Sequence, residues 1–431
     1  MLPRAFLVLA LCGALATLAP SPARSQMIPF APRPPAGEAG SELIVYLLTF
    51  GQGDEVWEFF GHNAIWIKDR AKGTDITYNW GMFDFNQPNF VGRFLTGNTR
   101  YWMDGIDLES TLQTYTQRNR SILAQELNLT PAQRLRLRES LEVNSLPQNK
   151  FYRYDYYRDN CSTRLRDMLD RALGGQLQTA TTTRMTSETY RTHTQRLTTG
   201  DVPIYTGITL ALGHPADWPI SRWDEMFLPV RMANHFRAVS LTDSVGARIP
   251  LVRSEMALFT AGRAPERAIP PNYLPWYVAI GIVLAGALIA LVSRAEMGSR
   301  VALYAAAAMA TLWSLVSGLA GTALVAAWLF TQHHFMSRNE NLLHFSPLSI
   351  ALVVLIPLSI FGLRSVTRAR KLSALIAALS LFGFIAQGVP FFDQSNGEII
   401  ALALPLNLAV VWTVYRLTSY RRTSLPSSAA L

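Results

Sequence analysis

Charge is scarce in this sequence: 16% of its 431 residues are Asp, Glu, Lys or Arg, against roughly a quarter in an ordinary globular chain. The shortfall falls mainly in 268–420, where charge is confined to short connecting segments. A wholly soluble protein is excluded by that distribution. Intrinsic disorder is excluded as well, because 49% of the residues are hydrophobic. Cysteine is scarcer still, with two in the chain, Cys12 and Cys161. That rules out a disulfide framework and any paired-cysteine metal motif. There is no glycine-rich phosphate loop and no internal repeat. Acidic residues are outnumbered 30 to 39 by basic ones, giving a net charge of +9. The excess is not a nucleic-acid footprint, which would be a basic face on the polar region. Arg294, Arg300, Arg364, Arg368, Arg370, Lys371, Arg416, Arg421 and Arg422 instead lie beside apolar runs, with Glu296 the acid among them. This is the pattern of cytoplasmic loops in a membrane protein.

What is present begins with an address. Arg4 precedes an apolar run over 5–18, then Pro20 and the small-residue segment Ala23-Arg24-Ser25. Residues 1–25 therefore read as a secretory signal peptide cleaved before Gln26, the alternative being an uncleaved anchor helix. Leu11 stands before Cys12 where lipidation needs a small residue, so Cys12 is not expected to carry lipid. Without the signal, Cys161 is the lone cysteine of an exported domain. Such a thiol is either buried or kept for its chemistry.

Five uncharged runs follow the polar region, at 276–292, 301–330, 348–363, 372–391 and 399–415. Each approaches the roughly 20 residues needed to cross a bilayer, the third being short. With the polar region outside, the Arg-rich connections at 294–300 and 364–371 and the tail from 416 fall inside. The connections at 331–347 and 391–398 fall outside. The expected organisation is a periplasmic catalytic domain over 26–270, a membrane domain with about five helices over 271–420, and a cytoplasmic tail over 421–431. The 331–347 segment carries His333, His334 and His344. Adjacent histidines do not readily share one metal, so a role at lipid headgroups or at an acceptor is the expectation there.

The polar region reads as α+β. Strands are expected over 43–50, 63–68 and 75–80. Helices are expected over 108–117, from Pro131 to about Val143, and from a cap at Asp159 or Asn160 to Gly174-Gly175. The last has Leu165, Met168, Leu169, Ala172 and Leu173 on one face. The stretch 179–199 is rich in Thr and Arg and carries no strong pattern.

Cys161 falls at the start of that amphipathic helix, where unpaired N–H groups and the helix dipole favour a thiolate and offer donors to an oxyanion. Arg158 and Arg164 add positive potential there and Asp159 opposes it. A thiol nucleophile needs a base. His62, in Gly61-His62-Asn63 at a strand edge, is the foremost candidate. His193, His214 and His235 lie in ordinary polar or turn contexts. Asn79 on the next strand is the natural group to orient His62, with Asp84 as the alternative. A lone histidine at a strand edge is more often structural, but here it is joined by an exported cysteine at a helix start.

Several segments carry a resemblance: Thr49-Phe50-Gly51, Phe60-Gly61-His62-Asn63, Tyr78-Asn79-Trp80-Gly81-Met82-Phe83-Asp84-Phe85, Asp159-Asn160-Cys161-Ser162-Thr163-Arg164 and Trp223-Asp224-Glu225-Met226-Phe227-Leu228-Pro229. Together they resemble the exported domain of the Lnb-type bacterial lipoprotein N-acyltransferases over about 40–240. A weaker likeness continues through Asn339-Glu340-Asn341-Leu342-Leu343. The order of His then Cys is similar to circularly permuted papain-like folds such as lecithin:retinol acyltransferase. The resemblance implies a permuted papain-like domain, with His on a strand and Cys on a helix, fused to an all-α polytopic membrane domain in the bacterial inner membrane. It implies Cys161 as nucleophile, His62 as base and Asn79 as orienter, with Asn160, Asp159, Arg164 and Asn63 in support. The implied acyl donor is a membrane phospholipid and the implied acceptor the N-terminal diacylglyceryl-cysteine of an exported apolipoprotein. No metal, dissociable cofactor or nucleic acid is called for. Two rivals stay open from the residues alone: a cell-wall peptidase or amidase using the same pair, and an envelope sensor in which Cys161 is merely packed.

Overall fold

The computed structural model describes residues 37–243 and 245–424. The expected signal peptide over 1–25 lies outside the described residues, as does most of the expected tail. The N-terminal part is α+β. Its sheet contains β1 (Leu43–Phe50), β2 (His62–Asp69), β3 (Thr74–Met82), β4 (Tyr101–Asp107), β5 (Ile122–Leu127), β6 (Phe151–Tyr152) and β7 (Val252–Phe259). They are ordered β7-β5-β1-β2-β3-β4-β6, and each neighbouring pair is antiparallel. The interior strand β1, Leu-Ile-Val-Tyr-Leu-Leu-Thr-Phe, is apolar nearly throughout because it is buried on both faces.

Helices between the strands cover those two faces. α1 (Phe90–Thr96) precedes β4, and α2 (Leu108–Gln117) follows it. α2 lays Leu108, Leu112 and Tyr115 against Phe50, Ala64 and Trp66 on one face. α3 (Pro131–Ser145) starts at a capping box in which Thr130 and Gln133 satisfy each other's backbone N–H groups. It covers the other face together with α4 (Cys161–Ala172). There Leu137, Leu141, Leu165 and Leu169 join Leu47, Ile65, Ile67 and Trp80 in the main core.

The patternless stretch 179–199 is structured. α5 (Gln176–Thr181) leads to a short strand, Met185–Thr189, and then to α6 (Tyr190–Leu197). α6 escapes a hydrophobic-period reading because its buried face is polar: Arg191, His193, Thr194 and Arg196 are all nearly inaccessible. Next come α7 (Val202–Ala211) and α8 (Pro229–Ala238), the latter packing on β1.

The C-terminal part is helical: α9 (Leu274–Glu296), α10 (Arg300–Phe330), α11 (Ser349–Phe361), α12 (Val366–Ala386) and α13 (Gly397–Ser424). Four of these, all but α11, are long and apolar enough to cross a membrane. Arg370 at the start of α12 donates to Thr418 late in α13, and Arg416 pairs with Glu296 at the end of α9. These contacts gather the basic residues at one end of the bundle. The N-terminal part docks at the other end, where Tyr205 donates to Glu398 and Thr206 meets Tyr277. α11 is shorter, its 13 residues spanning about 20 Å at 1.5 Å per residue. It starts part-way along α10, with Ser349 beside Ser317 at 3.3 Å. Gly321 makes this approach possible, since a side chain there would collide with the Phe345–Pro347 backbone.

Candidate active site

His62 opens β2 and sits opposite Phe50 in the β1–β2 register. Its ring lies beside the stacked pair Phe50 and Tyr115, at centroid distances of 5.8 and 6.0 Å. Its Nε2 is 3.2 Å from Asn79 Oδ1. Asn79 faces Ala64 across the β2–β3 ladder, one side-chain step from His62 on the same face of the sheet. The Asn79 amide is itself oriented, because Nδ2 donates to the Thr77 carbonyl at 3.2 Å. Oδ1 must then accept, so Nε2 carries the proton and Nδ1 is the basic nitrogen. Thr77 meets Thr111 of α2 at 2.6 Å, tying this array to the covering helix. Asp84 is engaged with Asn86 instead.

Cys161 is the first residue of α4 and is 8% exposed. Asn160, and not Asp159, is the cap. Its Oδ1 accepts from the Ser162 and Thr163 N–H groups at 2.9 Å, and its Nδ2 donates to the Tyr156 and Phe227 carbonyls at 3.0 Å. The Cys161 N–H has no hydrogen-bond partner among the described residues, as expected at a first helical position. Asn63 rivets the helix to the sheet: Nδ2 donates to Leu48 O and Thr49 Oγ1, and Oδ1 accepts from Ser162 Oγ at 2.9 Å.

The two groups approach from opposite sides of the sheet. His62 and Asn79 project with Phe50 and Ala64 toward α2, whereas α4 packs on the other face. Cys161 lies beside the end of β3, where the β3–β4 register shifts between Asn79 and Met82. Gly81 sits in that irregularity with φ 85°, and a Cβ there would lie 3.4 Å from that of Cys161. Glycine supplies both the left-handed backbone and the clearance. No hydrogen bond joins His62 to Cys161 among the described residues. The Asn63 N–H, adjacent to His62, is the strand group that reaches the sulfur.

Burial, followed by the nearby Arg120 cation, depresses the His62 imidazole to about 4 despite the Asn79 bond. Burial raises the Cys161 thiol, and the Asn63 N–H, Ser162 and Arg120 offset only part of that rise. Both groups are consequently neutral at rest near pH 7.

Arg120 is the residue that sequence reading passed over. It lies in the α2–β5 turn with nothing local to mark it. Its Nε donates to Gly51 O at 2.8 Å, Nη1 lies 3.2 Å from Glu58, and the guanidinium rests over Tyr115 at 4.7 Å. Nη2 is buried with no hydrogen-bond partner among the described residues. The expected cations contribute otherwise. Arg164 forks onto Asp159 and lies over Tyr152, and Arg158 rests over Phe335.

The family model of the Lnb N-terminal periplasmic domain matches residues 39–196, and that of the Lnb transmembrane domain matches residues 274–421. The chain belongs to the Lnb family. It is a membrane protein with a periplasmic domain. Neither a curated protein nor a solved structure matches it.

Two further polar groupings in this Lnb-family chain were not legible beforehand. His193, Glu225 and His235 do not lie in ordinary polar or turn contexts. They form a network, with Glu225 accepting from His193 at 2.9 Å and His235 at 2.5 Å, while Arg196 donates to His193 Nδ1. Burial alone would raise the Glu225 carboxyl, but the bonds from His193 and His235 prevail and hold it well below the usual carboxylate range. The 331–347 segment forms a seam between the two domains. Asn339 and Asn341 donate to the last carbonyls of α7, and Phe335 is fully buried among Tyr157, Tyr190 and Phe227. At that seam His214, Glu340 and Asp393 bring three ligand-type atoms within 4.8 Å, with His214 Nδ1 3.1 Å from Asp393.

Proposed function

We infer that this Lnb-family protein is a thiol-dependent acyltransferase acting at the outer surface of the bacterial inner membrane, on a permuted papain-like domain. The supporting observation is the His62–Asn79 bond. It assigns the proton to Nε2 and leaves Nδ1 as a base on the strand whose next N–H reaches the Cys161 sulfur.

In the first half-reaction Nδ1 removes the thiol proton as sulfur attacks an acyl ester carbonyl of a membrane phospholipid. The carbon–sulfur bond forms, and the oxyanion is met by the Cys161 N–H and by Arg120 Nη2. Collapse breaks the carbon–oxygen ester bond, and the imidazolium returns its proton to the departing alkoxide. In the second half-reaction the amine of an apolipoprotein's N-terminal diacylglyceryl-cysteine attacks the thioester. His62 takes the amine's proton, and the thiolate leaves and is reprotonated. Asn79 holds the imidazole, while Asn160 and Asn63 hold the helix start. Asp159 and Arg164 neutralise each other beside it.

Peptide mass spectrometry of the full chain in vesicles tests this reading, with acyl-labelled phospholipid or acyl-labelled diacylglyceryl lipopeptide supplied. A hydroxylamine-labile acyl group on Cys161, absent from Cys161→Ser and from His62→Ala, is the expected result. Label arriving only from the lipopeptide's own glyceryl ester would change the donor and keep the chemistry. An unmodified Cys161 with both donors would refute the reading, and peptidoglycan fragments would be tried next.

A further inference from the structure

Helix α1 presents an apolar face to the outside. Val91, Phe94 and Leu95, spaced three and four residues apart on one side, are each more than half exposed. Trp57 and Phe85 beside them are also half exposed. In water such a contiguous patch is costly, and patches of this kind mark interaction surfaces.

Two observations say what covers it. The first is position. Thr96 O at the end of α1 accepts from Gln332 N at 2.8 Å, and Phe94 O lies 3.0 Å from His333 Nε2. Gln332 is two residues beyond α10, whose last residues Trp328, Leu329 and Phe330 are themselves exposed and apolar. Helix α1 is therefore held at the level where a membrane-spanning helix leaves the bilayer. The second is continuity inward. Phe90 of α1 lies 6.0 Å from Phe83, Phe83 lies 5.1 Å from Tyr101, and Tyr101 stacks on Tyr154 at 4.5 Å. Tyr154 flanks Gly81, as do Cys161 and Tyr152. A run of aromatic rings thus leads from the patch to the thiol.

We propose that α1 and its aromatic neighbours are seated in the outer leaflet of the bilayer and pass a lipid acyl chain along this run to Cys161. The seating stands on the exposed face and its anchorage to α10. The delivery of an acyl chain rests on the acyltransferase reading given above. A short apolar helix with aromatic residues at the headgroup boundary suits that position.

The test uses the full chain in phosphatidylethanolamine–phosphatidylglycerol vesicles. Nitroxides are placed by Val91→Cys or Leu95→Cys in a Cys161→Ser background, with Glu139→Cys on exposed α3 as the aqueous reference. Labels at 91 and 95 are expected to collide with oxygen in preference to a water-soluble nickel chelate, and the label at 139 to show the reverse. Nickel access at 91 and 95 equal to that at 139 would overturn the seating. Access to neither collider would overturn it too, since that identifies a protein covering the helix. In the native-cysteine background, Leu95→Asp should lower Cys161 acylation from bilayer lipid by about tenfold or more. Iodoacetamide should still alkylate Cys161 in that variant at the native rate. Unchanged acylation would overturn the delivery role. If Cys161 of the native chain is never acylated, the acyltransferase reading fails, and the collision experiment still decides the seating.

Discussion

The resting protonation of Cys161 and His62 gives the sharpest prediction, because it separates two kinds of thiol enzyme. In an ion-pair enzyme the imidazolium stabilises a standing thiolate, and alkylation is fast and pH-independent from about pH 4 to 8. Here burial opposes both charges, depressing His62 to about 4 and raising Cys161. Even an unperturbed thiol with a pKa near 8.5 is only about 3% thiolate at pH 7, and the raised Cys161 falls below that. Its alkylation by iodoacetamide should then be at most about 3% of the limiting rate at pH 7 and climb about tenfold per pH unit toward pH 9. The assay is peptide mass spectrometry of Cys161 after timed exposure of the detergent-purified protein. Circular dichroism confirms the fold at each pH. His62→Ala should change the pH 7 rate by less than about threefold, since no ion pair is lost. A plateau between pH 5 and 7, abolished by His62→Ala, would refute the neutral-pair argument and with it the role given to burial.

Other outcomes follow from the same geometry. Asn79→Ala removes the bond that sets the His62 tautomer and leaves the buried Nε2–H without that partner, and should slow acylation of Cys161 about tenfold at a cost of about 1–3 kcal/mol in stability. Asn160→Ala deletes two cap bonds and strips the Tyr156 and Phe227 carbonyls of a donor. It should cost about 2–4 kcal/mol and lower the melting transition by roughly 5–10 °C. The unfolded chain binds a proton at His62 below about pH 6.5, and the folded one only near 4. Stability from this group is thus full above pH 6.5 and is lost as pH falls toward 4. His62→Ala should flatten that limb of the melting temperature against pH, and an unaltered limb would refute the assignment. Gly81→Ala places a methyl against Cys161 at a left-handed backbone position and should cost about 1 kcal/mol or more, with a larger loss in Cys161 acylation.

The seam has a mechanical consequence. Asn339, Asn341 and Phe335 lock the outer end of the bundle to the periplasmic domain, so the candidate site is held at a fixed height over the membrane. A tethered site of that kind meets membrane-anchored substrates at high effective concentration.

Several features were settled by local sequence. The β1 and α2 ranges, the Asn160-capped helix and the apolar runs each follow from periodicity, capping chemistry or the absence of charge, all short-range properties. Cys161 at a helix start and His62 at a strand start were legible for the same reason, as was Asn79 on the next strand. What the tertiary structure alone decided depends on contacts between distant segments. α6 was invisible because its buried face is Arg, His and Thr, whose partners lie in other elements. Arg120 becomes part of the site through Gly51 and Glu58, some sixty to seventy positions away in sequence. The room for Cys161 beside β3 depends on the irregularity at Gly81, which strand pattern does not encode. A one-dimensional pattern records which face of an element is apolar. It does not record which polar groups meet once those faces are buried, nor how deeply each is buried, and at this site burial, only partly offset by those meetings, sets both protonation states.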